Sequence, residues 1–431
     1  MVNTDDTAHK LMTAVYDFAV SRIAFDFFGF LVVAELARQN LQLDGIHLVV
    51  VPADGDGFHP NVQYELTQKQ WRLKEIVIDG CWLLPSCRQL TVCHDRNEAR
   101  RILLDPELTI YPEHYSIERP VARWETGYSM IEGHKGNDPR VLRASDQARR
   151  YVEAWKRSVA PDHQVVSLTL REALHNPQRN NELRDWLQFG HWLSDNGYYP
   201  VIVRDTETAL LSDQIDFGSL TEFTTAAFNI DLRLALYELC FLNVNVANGP
   251  TQLCGLDPVT RILTFVTGDW LEIEPTPLLG DGVARGEPPS YSSKFQRWAW
   301  CLPDFENLKR EFRKITEDLL SELGDNWEPY TYLPPDDSLR RDLLEIAMRF
   351  LEAREWTLFD EIAEQIVADN DSRLEIIYLQ GLAANARPNQ SAHIYFKKAI
   401  AILEENPKLV NENSNAQKIA DHLQSLSSNS G

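Results

Sequence analysis

The sequence predicts an α/β protein: two Rossmann-like lobes in succession, followed by an all-α module of paired helices. Three observations carry this. Short apolar runs alternate with helix-period segments over the first three quarters of the chain, and strands that alternate with helices form parallel sheets, because parallel strands need crossover connections. Several runs are apolar without interruption, as His47-Leu48-Val49-Val50-Val51 nearly is, which suits a strand buried on both faces. The last quarter has helical periodicity only. At 431 residues, and at roughly 150 residues per domain, two or three domains are expected. The boundaries fall at 1–150, 151–328 and 336–424.

In the first lobe, the apolar run Tyr16 to Ser21 reads as a strand, and residues 24–39 place Phe27, Leu31, Ala34 and Leu36 at helical spacing. The strand at 47–51 stops at Pro52 and the turn Asp54-Gly55-Asp56-Gly57. Residues 68–78 and 98–104 read as helices around a strand at 90–93. Residues 105–145, rich in Pro, Gly and charge, read as irregular connection, and 147–158 as a helix. The second lobe is clearer. Strand 165–172 runs into the polar loop Ala173 to Asn180. Helix 182–195 ends at Asn196-Gly197, a C-terminal stop. Strand 200–203, helix 232–240, and strands 242–246 and 261–266 follow, and helix 304–322 closes the lobe ahead of a Pro-rich linker at 329–335.

The balance of 44% apolar and 25% charged residues is that of a globular chain. With 42 basic and 64 acidic residues the net charge is -22, which argues against a nucleic-acid or anionic-membrane surface. A local basic pocket for one phosphorylated ligand stays compatible with it. The six cysteines form no CxxC pair and sit mostly in apolar runs, so buried free thiols are expected, in keeping with the cytosol. The start, MVNTDDTAHK, lacks a basic segment ahead of an apolar one, and the most apolar stretch, 18–37, carries Arg22, Asp26 and Glu35. A cytoplasmic protein without a membrane span is expected.

Two features point to ligand chemistry. Strand 242–246 runs into Ala247-Asn248-Gly249-Pro250, where a helix begins. Ligands of open α/β sheets bind at the carboxyl ends of strands, and free N–H groups at a helix start attract phosphate. Gly allows close approach and Pro suits the first helical turn. The same turn also serves as an ordinary strand-to-helix connection. The second feature is the loop with Arg171, Glu172, His175, Asn176, Arg179, Asn180 and Asn181 after the first strand of the lobe. Arg matches phosphate oxygens with a planar fork, which makes Arg171 and Arg179 phosphate candidates. Ion pairing with Glu172 or Glu182 is the alternative. Asp205 and Glu207, in the loop after strand 200–203, face the same edge. Asp54, Asp56 and His59 fit a solvated turn, and neighbouring His94 and Asp95 point opposite ways on an extended segment. Trp124, Trp298 and Trp300 are core or stacking residues. Walker, HExxH, zinc-type and Gly-x-Ser-x-Gly patterns are missing, so no metal or cofactor is expected.

These residues carry a resemblance. The second lobe looks like the C-terminal domain of glycosyltransferases with the two-Rossmann B-type (GT-B) fold, and within them it is similar to the bacterial lipopolysaccharide heptosyltransferase family. That family's motif Asp-Ser-Gly-Pro-x-His-Leu corresponds to Ala247-Asn248-Gly249-Pro250-Thr251-Gln252-Leu253, with Ala247 in place of Asp and Gln252 in place of His. Asn229-Ile230-Asp231-Leu232 with Leu236-Tyr237 resembles the helix before it. Arg179 falls where the family has a basic residue ahead of its helix, and Asp26 near the acid that starts the first helix, although Phe25 stands where the family has Gly. Leu168-Thr169-Leu170-Arg171-Glu172 also resembles the strand-Arg motif of fucosyltransferases, whose Arg holds nucleotide phosphates. The resemblance implies a metal-independent glycosyltransferase. Asp26 would be the catalytic base, and Arg171, Asn176, Arg179, Asp205, Glu207, Asn248, Gly249 and Pro250 would hold a nucleotide-sugar donor. The acceptor would be a hydroxyl of a glycan, lipid or protein. A second reading is a degenerate α/β body that binds a protein partner through its helices.

At the C-terminus, Phe359, Ala363 and Ile366 recur 33 positions later as Ala392, Phe396 and Ala399. This resembles the tetratricopeptide repeat, whose period is 34. Helices are expected at 339–351, 358–368, 374–384 and 392–403, with a disordered tail at 425–431. Two generic helical hairpins would give the same pattern.

Overall fold

The computed structural model describes residues 10–60, 64–121, 137–173, 177–209, 215–267, 286–323, 373–387, 391–405 and 414–428, with scattered positions between 344 and 363. The chain divides into two compact units, Met1–Thr331 and Tyr332–Gly431.

The first unit contains two parallel sheets. The first is built from β1 (Leu11–Asp17), β2 (Gly45–Val51), β3 (Cys87–Val92) and β4 (Thr109–Tyr111), in the order β3-β2-β1-β4. Its helices are α1 (Asp26–Asn40), α2 (Leu66–Arg72) and α3 (Arg96–Ile102), and α2 continues as a π-helical segment, Leu73–Asp79, and a 3-10 turn, Gly80–Leu83. Residues 137–145 and α4 (Asp146–Val159) lead to the second sheet. That sheet comprises β5 (Gln164–Thr169), β6 (Tyr198–Val203), β7 (Thr221–Glu222), β8 (Leu242–Val246), β9 (Ile262–Phe265) and β10 (Gln296–Ala299), in the order β10-β9-β8-β5-β6-β7. Helices α5 (Leu183–Asp195), α6 (Thr206–Ala209), α7 (Thr225–Phe228), α8 (Ile230–Leu239), α9 (Gly249–Gly255) and α10 (Phe305–Leu323) surround it. Every strand pairing in both sheets is parallel. The α/β class and its doubled sheet are therefore as the alternation of elements predicts.

Two adjustments to the expected elements have local causes. The first strand ends at Asp17 instead of starting at Tyr16, because the Asp17 carboxylate accepts the Ala19 N–H (2.8 Å) and its carbonyl accepts from Val20 and Ser21. That turn takes Phe18 to Ser21 out of the sheet. The stretch 105–145 is not wholly irregular, since Thr109–Tyr111 adds β4 beside β1.

Helix α1 explains how the sheets are joined. Residues Phe27 to Leu36 are all buried and, Glu35 excepted, apolar, as suits a helix enclosed on nearly every side. One core cluster holds α1 and β1 side chains (Tyr16, Phe27, Phe28, Phe30) together with Leu234, Leu236 and Tyr237 of α8 and Leu253 of α9. Each large side chain in it contributes about 1.5–3 kcal/mol by burial. The two lobes thus share a core. A second cluster fills the far face of the second sheet, where Trp186, Phe189 and Phe312 pack under β5, β6 and β8.

The second unit is helical: α11 (Arg373–Ala386), α12 (Ala392–Glu405) and α13 (Ser414–Ser428) follow shorter helical pieces between 344 and 363. Ile376, Leu379 and Ala383 of α11 pack on Ala347, Phe359 and Ala363, while Leu374 and Ile377 pack on Ala399, Ala416 and Ile419. One helix therefore serves two successive layers. Gly381 permits the α11–α12 approach, since a Cβ there would stand 2.4 Å from the Phe396 ring. The tail is not disordered from residue 425, because α13 continues to Ser428, with Ile419 and Leu423 buried. Ile366, Trp124 and the linker 329–335 lie outside the described residues.

Candidate functional site

The second sheet reverses its direction of growth between β5 and β8, since β6 and β7 add on one side and β9 and β10 on the other. The loops at the carboxyl ends of the two strands flanking such a switch point diverge and leave a crevice. Arg171 follows β5 and Asn248 follows β8, so sequence-predicted residues stand on both sides of it.

On the β5 side, the Arg171 backbone N–H donates to the Asn181 side chain (2.5 Å), the Arg171 guanidinium donates to Asn180 Oδ1, and the Asn180 amide donates to the Ala173 carbonyl (3.0 Å). Burial pushes the Arg171 guanidinium below its usual value, against the pull of Asp205 and of Tyr64 from the first lobe. Arg179, in the 3-10 turn Pro177–Arg179, reaches across the switch point and donates to the Ala247 carbonyl (2.5 Å). On the β8 side, Asn248 caps α9: its side chain accepts the Thr251 N–H (3.3 Å), and the Thr251 hydroxyl meets the Asn248 N–H (3.3 Å). Pro250 is buried in the first turn.

Three amide atoms on this edge are buried without a hydrogen-bond partner: Asn181 Nδ2, Asn248 Nδ2 and Gln252 Oε1. Buried polar atoms are nearly always met by protein, water or ligand.

Beyond the edge lies a layer of buried charge that sequence reasoning missed. Arg204, 2% exposed, grips Glu172 with two hydrogen bonds (2.9 and 2.7 Å), and Glu172 also accepts from the Thr208 hydroxyl (2.7 Å). Arg233, 4% exposed, donates to the carbonyls of Ala226 (2.7 Å) and Arg204 (3.0 Å). Asp205 accepts the Glu172 N–H (2.8 Å), and burial raises its pKa. Asp205 thereby clamps the β5 loop to the β6 loop. The side chains of Asn176 and Glu207 lie outside the described residues. The sequence held one signal for this layer, the adjacency of Arg204 and Asp205 to the end of a strand. Partner Glu172 is more than thirty positions away, and no local pattern pairs them.

From the first lobe, α1 presents its N-terminus to α9. Asp26 sits half-buried in the first turn of α1, beside the fully buried Tyr16, whose hydroxyl donates to the Arg22 carbonyl (2.5 Å). Burial, and next the charge of Asp26, raise the Tyr16 pKa. Phe25 lies directly on Gly249, where a Cβ would stand 2.6 Å from the ring and 2.9 Å from Phe25 Cβ. The bareness of Gly249 is used by Phe25.

The first sheet has a different carboxyl edge. Asp17, 1% exposed, receives Arg96 in a two-point contact (2.8 and 3.0 Å) and the Tyr115 hydroxyl (2.6 Å). Arg96 also donates to the carbonyls of Pro52 (3.0 Å) and Ile117 (2.8 Å). Beside it a polar cavity of about 590 Å³ is lined by Asp54, Asp56, His94, Asn97 and Arg100. Asp56 pairs with Lys69 (2.7 Å), and Asp95 caps α3 through the Glu98 N–H (2.8 Å). Trp298 and Trp300 contact one another at 6.4 Å between ring centres. All six cysteines are free, and five are buried, as the apolar runs predict. Among the described residues no helix is long and apolar enough to cross a membrane.

No family model and no curated protein matches the chain. Among solved structures it is similar to a glycosyl transferase family 9 protein from Veillonella parvula, at 11% identity and a TM-score of 0.41, over 77% of this chain and 96% of that one. It is also similar to the E. coli ADP-heptose lipopolysaccharide heptosyltransferase II, at 12% identity and 0.47, over 73% and 100% of the two chains. The E. coli heptosyltransferase WaaC with ADP matches at 10% identity and 0.37, over 70% and 100%. All three are remote likenesses of fold.

Proposed function

We propose that the protein is a nucleotide-sugar glycosyltransferase acting on a hydroxyl of a glycan, lipid or protein acceptor, with residues 1–150 as acceptor lobe and 151–328 as donor lobe. The observation that carries the reading is the switch point of the second sheet. There Arg171 follows β5 on one side, Arg179 reaches the Ala247 carbonyl ahead of the Asn248-Gly249-Pro250 turn on the other, and three buried amide atoms lack partners. The two guanidinium groups and the turn would hold the diphosphate, and their charge would stabilise it as it leaves, the main catalytic term for such a transfer. Asn176 and Glu207 belong to the same set, with Asp205 holding the Arg171 loop in place. Asp26 would take the acceptor proton, helped by its half-buried position. No metal is needed where arginines carry this charge. The cell compartment proposed is the cytoplasm of a bacterium.

One observation favours a second reading, a catalytically degenerate body that recruits a protein through residues 336–424. Phe25 covers Gly249, and the lobes share a core across that contact. The α11 helix packed between two layers supports a tetratricopeptide-like arrangement for that module. Calorimetric titration of the full chain with nucleoside diphosphates and nucleotide sugars separates the two. Heat of binding from at least one is expected; silence from all of them would overturn the enzyme reading and leave the second.

A further inference from the structure

The ladders that join β5 to β6 and to β8 both end at Thr169. Leu170 adds one further bond, its N–H donating to the Val203 carbonyl (2.8 Å). At Arg171 the backbone has left both neighbours, yet the residue is only 7% exposed. Its N–H and carbonyl therefore need partners of another kind, since buried backbone groups are seldom left unmatched.

Asn181 meets both. Its Oδ1 accepts the Arg171 N–H (2.5 Å), and its own N–H donates to the Arg171 carbonyl (3.2 Å). Asparagine suits this task because its side-chain amide copies a peptide group. For the length of one residue it takes the place of a neighbouring strand. The preceding residue holds the other end. Asn180 Oδ1 accepts from the Arg171 guanidinium, while the Asn180 N–H closes the 3-10 turn on the Pro177 carbonyl (2.9 Å). Consecutive asparagines thus grip the base and the tip of one arginine. On the far side, the Glu172 N–H is tied to Asp205 (2.8 Å).

The orientation of the Asn181 amide is fixed as well. With Oδ1 on an N–H, turning the group over would set donor against donor. Its Nδ2 is buried beside the Arg171 peptide, without an acceptor among the described residues.

We propose that Asn181 is a positioning residue for Arg171, holding its backbone so that the guanidinium stands ready for a nucleotide diphosphate. The proposal rests on the donor-lobe reading above. A guanidinium at the end of a long side chain is placed no better than the backbone that carries it. A loop and side chain ordered beforehand lose less freedom when the ligand arrives. Without the clasp that ordering is added to the binding step, which weakens affinity by about three- to tenfold. Chain stability also falls when the two bonds are lost, whatever the ligand, so affinity and not stability carries the test.

The test is a double-mutant cycle, read by calorimetric titration of the full chain with ADP, GDP, UDP and CDP, the tightest binder serving as probe. Wild type, Asn181→Ala, Arg171→Ala and the double variant are titrated alike. Asn181→Ala should weaken binding about three- to tenfold on its own and add nothing measurable to Arg171→Ala, because it acts through that arginine. Undiminished affinity in Asn181→Ala, with the wild type binding, would overturn this proposal alone. So would an equal further loss in both backgrounds, which would make Asn181 a direct contact through Nδ2. A wild type silent to all four nucleotides would overturn the donor-lobe reading and this proposal with it. Should Asn181→Ala fail to fold, Asn181→Ser takes its place in the cycle. Its hydroxyl is one bond shorter than the amide, and the same non-additivity is expected.

Discussion

At the carboxyl edge of the first sheet a buried acid, Asp17, is ringed by donors from Arg96 and Tyr115. At the edge of the second, buried arginines at 171, 204 and 233 stand against Glu172 and Asp205. Both edges belong to parallel sheets, and both place charge where strands end. They differ in balance. Every oxygen of Asp17 is matched, so that edge is a closed knot. The second edge has three amide atoms without partners. In a chain with net charge -22, arginines gathered at one strand edge matter, because local charge decides what a crevice attracts.

The comparison can be broken at each end. The largest effect is expected from Asp17→Ala, which strands Arg96 in a buried site. Losing one partner of such a pair costs about 3–5 kcal/mol, read as a shift in the urea midpoint. Glu172→Ala should cost about 3 kcal/mol for the same reason, since Arg204 would lose both hydrogen bonds to that carboxylate. If the Glu172 variant proved the more damaging, the knot would belong to the second edge and not the first. A smaller effect is expected at the contact between the lobes. Gly249→Ala puts a methyl against Phe25, and overpacking of that kind costs about 1–3 kcal/mol. The penalty should shrink in a Phe25→Ala background, as a double-mutant cycle would show.

Much of the fold is legible in the residues, for reasons visible in particular elements. His47 to Val51 can only be an inner strand, and the α1 stretch Phe27 to Leu36, apolar but for Glu35, can only be enclosed. Three of the four edge strands were not legible. Thr109–Tyr111, Thr221–Glu222 and Gln296–Ala299 are short, and their pairing is fixed by neighbours far along the chain. The site shows the same division. Arg171, Asn248 and Gly249 announce themselves by following strands. The bonds of Asp17 to Arg96 and Tyr115 span 79 and 98 positions and leave no local trace. Gly249 leaves room for close approach, and Phe25 of the first lobe takes that room.

The central claim is that the basic edge of the second sheet binds a nucleotide diphosphate. It is tested most directly by measuring the affinity of the wild type, Arg171→Ala and Arg88→Ala for a nucleoside diphosphate in one buffer. Arg88 is exposed on β3, so its loss changes net charge equally and leaves the site alone. The account predicts binding by the wild type and Arg88→Ala alike, weakened about tenfold or more in Arg171→Ala, as for a charged hydrogen bond. Equal affinity in all three, or none in any, would contradict it.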